Sequence, residues 1–307
     1  MAGLCAALLL TFAPAVFADD AGVVAVYAAV SPAYQRTALA GGVFKPETYA
    51  FGEGGDWGGP MKDLSIDELR FADIAHILAP TLAEQRYLPA DPKEPDQTKL
   101  LIMVYWGTTS GTADTASSPE YQIAQSLERL NPAAMAPPMQ ASGAKVPSSG
   151  EQQQRAALDA ARASALAQAD LMISMANRAR DRKNAENAML VGYLPELQRT
   201  DGYQGTALGF IRRDLVDDVE ESRYFVVLLA YDFQLLWKQK QRKLLWEARF
   251  SIPERRNDFH QALAAMAREA SRYYGQDSHG LIRQRLHDVN VIVGNPKFEG
   301  YEATPTK

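Results

Sequence analysis

The sequence predicts an α/β fold of the α+β type, in which a mostly antiparallel sheet is backed by helices and carries a long helical insertion. Two apolar stretches of strand length, residues 224–233 and 244–252, flank the polar segment 238–243, which is predicted to form the turn between them. The second stretch alternates between apolar and polar side chains, which is typical of an antiparallel hairpin with one buried face. Helical patterns before and after the hairpin supply the elements that cover this face.

Residues 1–18 have the pattern of a secretory signal peptide. An apolar core leads to Pro14 and to a small-residue box that ends at Ala18, and two aspartates follow at once. The apolar run is shorter than the about 20 residues that a membrane-spanning helix needs. We therefore expect an exported protein, periplasmic or associated with the outer membrane, with no transmembrane helix after cleavage. A buried N-terminal helix is the alternative.

Two details of this segment stay open. No Lys or Arg precedes Arg36, although signal peptides begin with basic residues, which is consistent with a start codon further upstream. Cys5 is a lipidation candidate, but Leu4 precedes it and apolar residues follow, so we interpret it as part of the signal core. Cleavage after Ala18 removes this single cysteine, and disulfides and Cys-based metal sites are then excluded from the mature chain.

The composition is that of a soluble globular protein. A net charge of −5 argues against a nucleic-acid partner, because such a partner requires a strongly basic surface. We predict one α/β domain over residues 19–307, with a helical insertion at about 108–204. Within the insertion, residues 131–150 are rich in Pro, Ala and Ser and are predicted to be flexible.

The first part of the chain predicts three strands and one helix. Short strands are expected at 23–27 and 47–51, and the glycine-rich segment 52–60 is expected to form a loop. A capping box at residues 65–68 starts a helix with one apolar face, which Pro80 is expected to kink or end. The nearly continuous apolar run 99–107 predicts a strand that is covered on both faces.

The insertion begins with a helix at Ser118-Pro119 and continues with a long alanine-rich helix over residues 151–187. A narrow apolar stripe runs along this long helix: Leu158, Ala161, Ala165, Leu166, Ala169, Met172, Ile173 and Ala176. We expect the stripe to pack on the core of the domain itself, and a coiled-coil seam is the alternative. The basic cluster at 178–183 is expected to complement the helix dipole at the C-terminal end.

The second part contains two further helices around the hairpin. Residues 208–219 carry an amphipathic helical pattern. After the hairpin, Asp258 is predicted to cap a helix that Gly275 stops. The apolar side of this closing helix consists of Phe259, Leu263, Met266, Ala267, Ala270 and Tyr274. One more apolar piece follows at 289–293.

The order of these elements resembles a domain family of unknown function in bacterial cell-envelope proteins, many of them lipoproteins. The resemblance rests on a capped helix followed by Tyr87 and Asp91, the apolar strand 100–105, a strand that ends in Asp232, and Lys243-Leu244-Leu245-Trp246. It covers about residues 44–107 and 205–275. The long insertion and the missing lipobox depart from the family. The resemblance implies an α/β fold and an envelope location, and no activity.

Few residues in the sequence are candidates for catalysis. Asp232 interrupts an apolar strand and is a candidate buried acid, although an aspartate that bonds the hairpin backbone is the favoured interpretation. Asp277, His279 and His287, with Asp288, form the one cluster with metal-ligand chemistry, but its spacing matches no known ligand set. His76 and His260 are interpreted as structural and surface residues. We predict no cofactor and no metal.

The sequence therefore predicts a binding or structural role in the cell envelope, without catalysis. The expected partner is an envelope protein or a glycan. Four aromatic residues, Tyr105, Tyr231, Trp237 and Trp246, are candidates for a sugar-binding surface, although a place in the core is the favoured interpretation. The alternative function is that of a secreted hydrolase, which would use Asp232 or the Asp/His cluster near the C-terminus.

Overall fold

The computed structural model describes residues 22–57, 66, 69–112, 121–123, 125–126, 148–203 and 205–286. Seven strands form one mixed sheet in the order β3-β2-β4-β5-β6-β1-β7. The sheet is mostly antiparallel, since only the β2–β3 and β2–β4 pairs are parallel. The strands are β1 (Val23–Val30), β2 (Glu47–Trp57), β3 (Tyr87–Pro89), β4 (Leu100–Thr108), β5 (Arg223–Asp232), β6 (Leu244–Pro253) and β7 (Ile282–Arg285). The predicted fold class is confirmed.

Six α-helices have both ends among the described residues, and residues 121–123 and 125–126 are also helical. The six helices are α1 (Phe71–Glu84), α2 (Ser149–Val191), α3 (Leu194–Arg199), α4 (Ala207–Glu220), α5 (Phe233–Gln239) and α6 (Phe259–Ser271). None of them is long and apolar enough to cross a membrane within the part of the chain that the structure describes. The signal-like residues 1–18, most of segment 131–150 (up to residue 147) and the apolar piece 289–293 lie outside the described residues.

The first face of the sheet holds the main hydrophobic core. Alternate residues of the central strands point into it and are fully buried, as Trp246, Ala248, Phe250 and Ile252 of β6 show. Helices α1 and α6 cover this face with side chains such as Leu78 and Met266. All six apolar residues predicted for the closing helix are buried, and Asp258 accepts a hydrogen bond from the Gln261 amide at 2.9 Å.

The predicted hairpin is confirmed, but its connection is not a simple turn. Strands β5 and β6 pair antiparallel, with Leu228 opposite Ala248. The chain between them forms the short helix α5 before it returns. The polar residues 238–243, expected to be the turn, therefore comprise only the end of this helix and the segment that leads into β6.

The first helix differs from its prediction at both ends. The regular helix begins at Phe71, and Asp73 accepts a hydrogen bond from the Arg70 amide at 3.1 Å. Most of the predicted capping box (residues 65, 67 and 68) lies outside the described residues. Pro80 lies inside the helix, which continues to Glu84, so of the two predicted effects of Pro80 the ending of the helix does not occur.

Strand β2 continues through the segment that was expected to be a loop. It runs to Trp57 and pairs in parallel with β4, with a register shift between Glu53 and Gly55. A Cβ atom on Gly54 would lie 2.6 Å from the ring of Tyr105, and one on Gly52 would collide with the sulfur of Met103. The glycines are needed because side chains of β4 lie against this strand, so they do not signal a flexible connection here.

The second face of the sheet is covered at one end only. The last turns of α2 and the helix α4 cover it with Ala188, Val191, Leu215 and Val219. Under them Phe225 and Val227 of β5 are buried, whereas further along the strand Leu229 and Tyr231 are half-buried. On β4 the alternate residues Leu101, Met103 and Tyr105 are also half-buried. The prediction that β4 is covered on both faces is therefore wrong for this part of the sheet.

The long helix α2 is present but packs differently from the prediction. Its buried residues are Ala169, Asn187, Ala188 and Val191. Of the eight predicted stripe residues only Ala169 is buried, so the stripe as a whole does not pack on the core. Helix α2 extends to Val191, which places the basic cluster 178–183 before its last two turns. Arg249 of β6 instead donates hydrogen bonds to the carbonyl oxygens of Met189 and Leu190 at the helix end.

Candidate functional site

Asp232 has a structural role in this fold. It is the last residue of β5 and the N-cap of α5, where its Oδ1 accepts a hydrogen bond from the Leu235 amide at 2.9 Å. An N-cap carboxylate satisfies an amide of the first helical turn that has no partner within the helix. As the favoured interpretation predicts, the aspartate accepts a hydrogen bond from nearby backbone. This backbone belongs to the helix α5, however, which the sequence does not predict.

Asp277 and His279 lie together in an exposed turn before β7. The Asp277 carboxylate accepts a hydrogen bond from the His279 amide at 2.6 Å, and its distance to the imidazole Nδ1 is 3.5 Å. The side chains are 48% and 90% exposed. His287 lies outside the described residues. Within the described part of the chain, no three side chains are grouped so that they could hold a metal ion.

The structure does not bring Asp232 close to this turn. Ser278 donates its amide to the carbonyl oxygen of Ala28, and Ala28 is aligned through Ala248 with Leu228. Asp232 lies four residues further along β5. Standard sheet spacings then put the backbone positions of Asp232 and Ser278 about 20 Å apart. The remaining histidines, His76 and His260, are both exposed on helices, so His76 does not have the structural role that was expected.

The four candidate aromatic residues fall into two groups. Trp246 is completely buried in the first face, between Tyr87 and Tyr274 at ring-centroid distances of 5.6 and 5.9 Å. Tyr105 and Tyr231 instead lie on the open end of the second face, and Trp237 on α5 is 41% exposed. The core interpretation is thus correct for Trp246 and does not hold for the two tyrosines.

Tyr105 and Tyr231 line one groove on the second face, which has a volume of about 180 Å³. The remaining lining residues are Leu101, Met103, Leu236 and Arg242. Leu101 of β4 is directly opposite Tyr231 of β5, and Tyr105 is four residues further along β4. Gly54 provides the space in which the Tyr105 ring lies flat against β2. The groove therefore combines an apolar surface, two phenols and one guanidinium.

The groove keeps the Tyr231 phenol able to donate a hydrogen bond. Burial raises the pKa of the Tyr231 phenol, and the neighbouring Tyr105 adds to this effect, while Arg242 acts in the opposite direction. A phenol with a raised pKa is neutral at physiological pH. On the same face, Glu247 and Arg249 of β6 form an ion pair with an N–O distance of 2.8 Å.

Three larger clefts lie among the described residues. One, of about 480 Å³ between α2, α3 and α4, contains the pairs Arg180–Glu220 and Arg212–Asp201. A second, of about 370 Å³ at the start of β1, contains Asp218, which Arg283 contacts at 2.9 Å, and the third, of about 280 Å³, lies at the start of α4. The charged residues that line the first cleft are paired with one another, whereas Glu221, Arg255 and Arg256 of the second cleft and Arg242 of the smaller groove form no ion pair with the described residues.

The sequence analysis identified the two tyrosines but not the groove. Leu101, Met103, Leu236 and Arg242 were not singled out, because their proximity depends on how β4, β5 and α5 assemble. No protein-family model matches this chain, and no curated protein matches it significantly. The likeness to the cell-envelope domain family thus stays a prediction.

Proposed function

We propose that this is an exported cell-envelope protein that binds a glycan in the groove lined by Tyr105 and Tyr231, without catalysis. The observation that carries the proposal is the pair of half-buried tyrosines beside Arg242, at the end of the second sheet face that α2 and α4 leave open. Signal-like residues 1–18 support the envelope location.

The chemistry of the groove suits a sugar. The C–H face of a pyranose ring is apolar and packs against an aromatic ring or against side chains such as Leu101 and Met103. Its hydroxyl groups need donors and acceptors at the rim, which the two phenols and the Arg242 guanidinium supply. Binding sites for small molecules commonly combine an apolar lining with a few polar groups in this way.

The hydrolase alternative has little support in the described residues. General acid–base catalysis requires an acid and a base within hydrogen-bond reach of the same bond. Asp232 is engaged in capping α5, and Asp277 and His279 lie in a solvent-exposed turn rather than in a cavity. Neither group lines the groove.

Export is tested by cell fractionation and mass spectrometry of the mature N-terminus. We expect the protein in the envelope fraction with Asp19 as its first residue. Recovery from the cytosol with residues 1–18 intact would contradict export, and a diacylated Cys5 would replace the soluble form by a membrane-anchored one.

Glycan binding is tested by titration calorimetry with oligomers of β-1,4-linked N-acetylglucosamine and a panel of other soluble oligosaccharides. Replacing Tyr231 by Ala removes a stacking surface, and we expect it to weaken binding by about tenfold or more. Tyr203→Ala is the matched control, because Tyr203 is an exposed tyrosine outside the groove. The proposal fails if no oligosaccharide binds, or if Tyr231→Ala binds as well as the control variant.

A further inference from the structure

A glycan that binds in the groove on the second face extends beyond it. The groove has a volume of about 180 Å³, whereas sites that bury a whole drug-sized ligand usually have about 300–1,000 Å³. One sugar unit therefore fits between Tyr105, Tyr231 and Leu236, and the neighbouring units lie over the residues that border the groove. The charge of this border then affects which glycans bind.

The border is basic on the side of β6, although the whole chain carries a net charge of −5. Residues 233–246, which form α5 and lead into β6, contain four cations and no acid. Of these, Lys238 pairs with Asp96 at 2.9 Å. The other three are exposed and form no ion pair with the described residues: Lys240, Arg242 and Lys243. Arg242 lines the groove, and the two lysines lie within two residues of it.

A fifth cation borders the groove at the start of β4. Lys99 directly precedes this strand, and its carbonyl oxygen accepts a hydrogen bond from the Phe233 amide at 2.9 Å. Because side chains two residues apart in an extended chain lie on the same face, Lys99 shares the second face with Leu101 and Met103. It is exposed and forms no ion pair with the described residues. We call the four unpaired cations the basic rim: Lys99, Lys240, Arg242 and Lys243.

The acids of the neighbouring strands do not neutralise the basic rim. Asp232 caps α5 with its carboxylate. Glu247 of β6 lies on the second face, but it is paired with Arg249 at 2.8 Å. Glu53 of β2 is aligned with Val104, whose side chain is buried in the first face, so Glu53 belongs to that face.

The acids of segment 91–96 lie on the far side of α5. Gln234 contacts this part of the chain, since its side-chain amide donates hydrogen bonds to the carbonyl oxygens of Pro95 at 2.8 Å and Thr98 at 2.7 Å. Leu236, which lines the groove, is two residues further along the helix and therefore about 200° around its axis. Helix α5 thus lies between these acids and the groove.

The cleft at the start of β1 has a different arrangement of charges. Arg255 and Arg256 line it without an ion pair to the described residues, but Glu221 lines the same cleft. A ligand there meets charges of both signs. The lining of the groove contains one cation and no acid, so its charge favours a negative group on the ligand.

We propose that the glycan in the groove is acidic, and that the basic rim contacts carboxylate or phosphate groups on its sugar units. The inference rests on the glycan binding proposed above and names the class of glycan. Arg242 can form two parallel hydrogen bonds with either group, and the lysines add an attraction that salt screens. A neutral glycan would use only the apolar lining and the polar groups of the groove.

The test compares tetrasaccharides that share a β-1,4-linked backbone and differ in charge. The neutral one consists of N-acetylglucosamine. A carboxylate form alternates N-acetylglucosamine with N-acetylmuramic acid, and its methyl ester keeps the shape without the charge. A phosphate form carries 6-phosphates on the neutral backbone, so the two acidic forms show which group the rim prefers.

Binding to the full chain is measured by titration calorimetry at low salt. We expect at least one acidic form to bind about tenfold or more tightly than the neutral tetrasaccharide and the ester. Because salt screens exposed charges, about 1 M salt is expected to remove most of this preference.

Matched variants assign the preference to the basic rim. Lys240→Asn/Arg242→Gln removes two of its cations, and asparagine tolerates the left-handed conformation of residue 240, whose φ is 59°. We expect this variant to bind the carboxylate form and its ester equally. Arg255→Gln/Arg256→Asn is the control, because it removes two exposed cations from the other cleft, one of them also left-handed with a φ of 66°. Circular dichroism verifies that both variants stay folded.

The outcomes distinguish this inference from the proposal on which it rests. If the acidic and neutral tetrasaccharides bind equally, glycan binding stands and the acidic class is wrong. If the preference persists in Lys240→Asn/Arg242→Gln, or disappears in the control as well, the basic rim is not its source and the inference fails. It also fails if anionic phospholipid vesicles cosediment the native protein but not the rim variant, because the cations then belong to a membrane surface. If no tetrasaccharide binds at all, the proposed function itself fails.

Discussion

On one face of the sheet, helices α1 and α6 cover the central strands completely, and residues such as Ile102 and Phe250 are fully buried. On the other face, α2 and α4 cover only one end, and Leu229 and Tyr231 stay half-buried. Both faces are rich in apolar residues. The difference lies in where the helices sit and not in how apolar the strands are.

Because of this difference, one face contributes mainly to the stability of the fold and the other offers a surface for ligand binding. Complete burial stabilises the fold, since each buried apolar side chain contributes about 1.5–3 kcal/mol relative to exposure. A half-covered apolar surface contributes less to stability and leaves a place where a ligand can pack. The first face therefore accounts for the fold, and the open end of the second face is where we place the glycan.

The largest expected effect is on the free energy of unfolding, when one aromatic residue from each face is replaced by alanine. Trp246→Ala removes a fully buried ring between Tyr87 and Tyr274. We expect a loss of about 3–5 kcal/mol in the free energy of unfolding. Tyr231→Ala on the open face is expected to cost about 1 kcal/mol or less. Urea unfolding measures both, and equal losses would mean that the two faces are packed equally well.

A smaller effect is expected from the glycine that supports the groove. A Cβ atom on Gly54 would lie 2.6 Å from the Tyr105 ring, so Gly54→Ala must displace this ring. We expect a loss of about 1–3 kcal/mol and weaker glycan binding. Gly150→Ala is the control, because no atom lies within 4 Å of its added Cβ and a helical alanine is favourable.

The double variant Gly54→Ala/Tyr105→Ala identifies the cause of the loss. Without the ring the added methyl group meets no obstacle from Tyr105, so the alanine at 54 should cost less in this background than in the native one. If Gly54→Ala costs the same in both backgrounds, the effect comes from the backbone of β2 and not from the groove.

The elements of the first face were predictable because their signals are local. The alternation in β6 and the cap at Asp258 each depend on residues close in sequence, and the structure confirms both. The open end of the second face was not predictable, since it depends on which turns of α2 contact α4 and the sheet, and the ion pairs, hydrogen bonds and core residues that join them run from Arg180 to Val191. The fit of Gly54 to Tyr105 likewise requires the parallel register of β2 and β4, which are distant in sequence.

For Asp232 the sequence predicts the type of contact correctly, but not the element to which the contacted backbone belongs. Its position at the end of an apolar strand predicted an aspartate that bonds backbone, and it does so. The sequence predicts that the strand ends at Phe233 and that residues 238–243 form a turn, because a helix of two turns is too short to show a clear 3.6-residue period. The cap therefore belongs to α5.

The smallest effect tests this role of Asp232 against a catalytic one. Asp232→Ala removes the acceptor for the Leu235 amide, and we expect a loss of about 1 kcal/mol in the free energy of unfolding. Asp232→Asn keeps a good capping oxygen and is expected to lose less than half of that. Thermal unfolding of the three proteins checks the order. If Asn destabilises as much as Ala, the negative charge itself matters at this position, and this result would favour a role of Asp232 beyond capping α5.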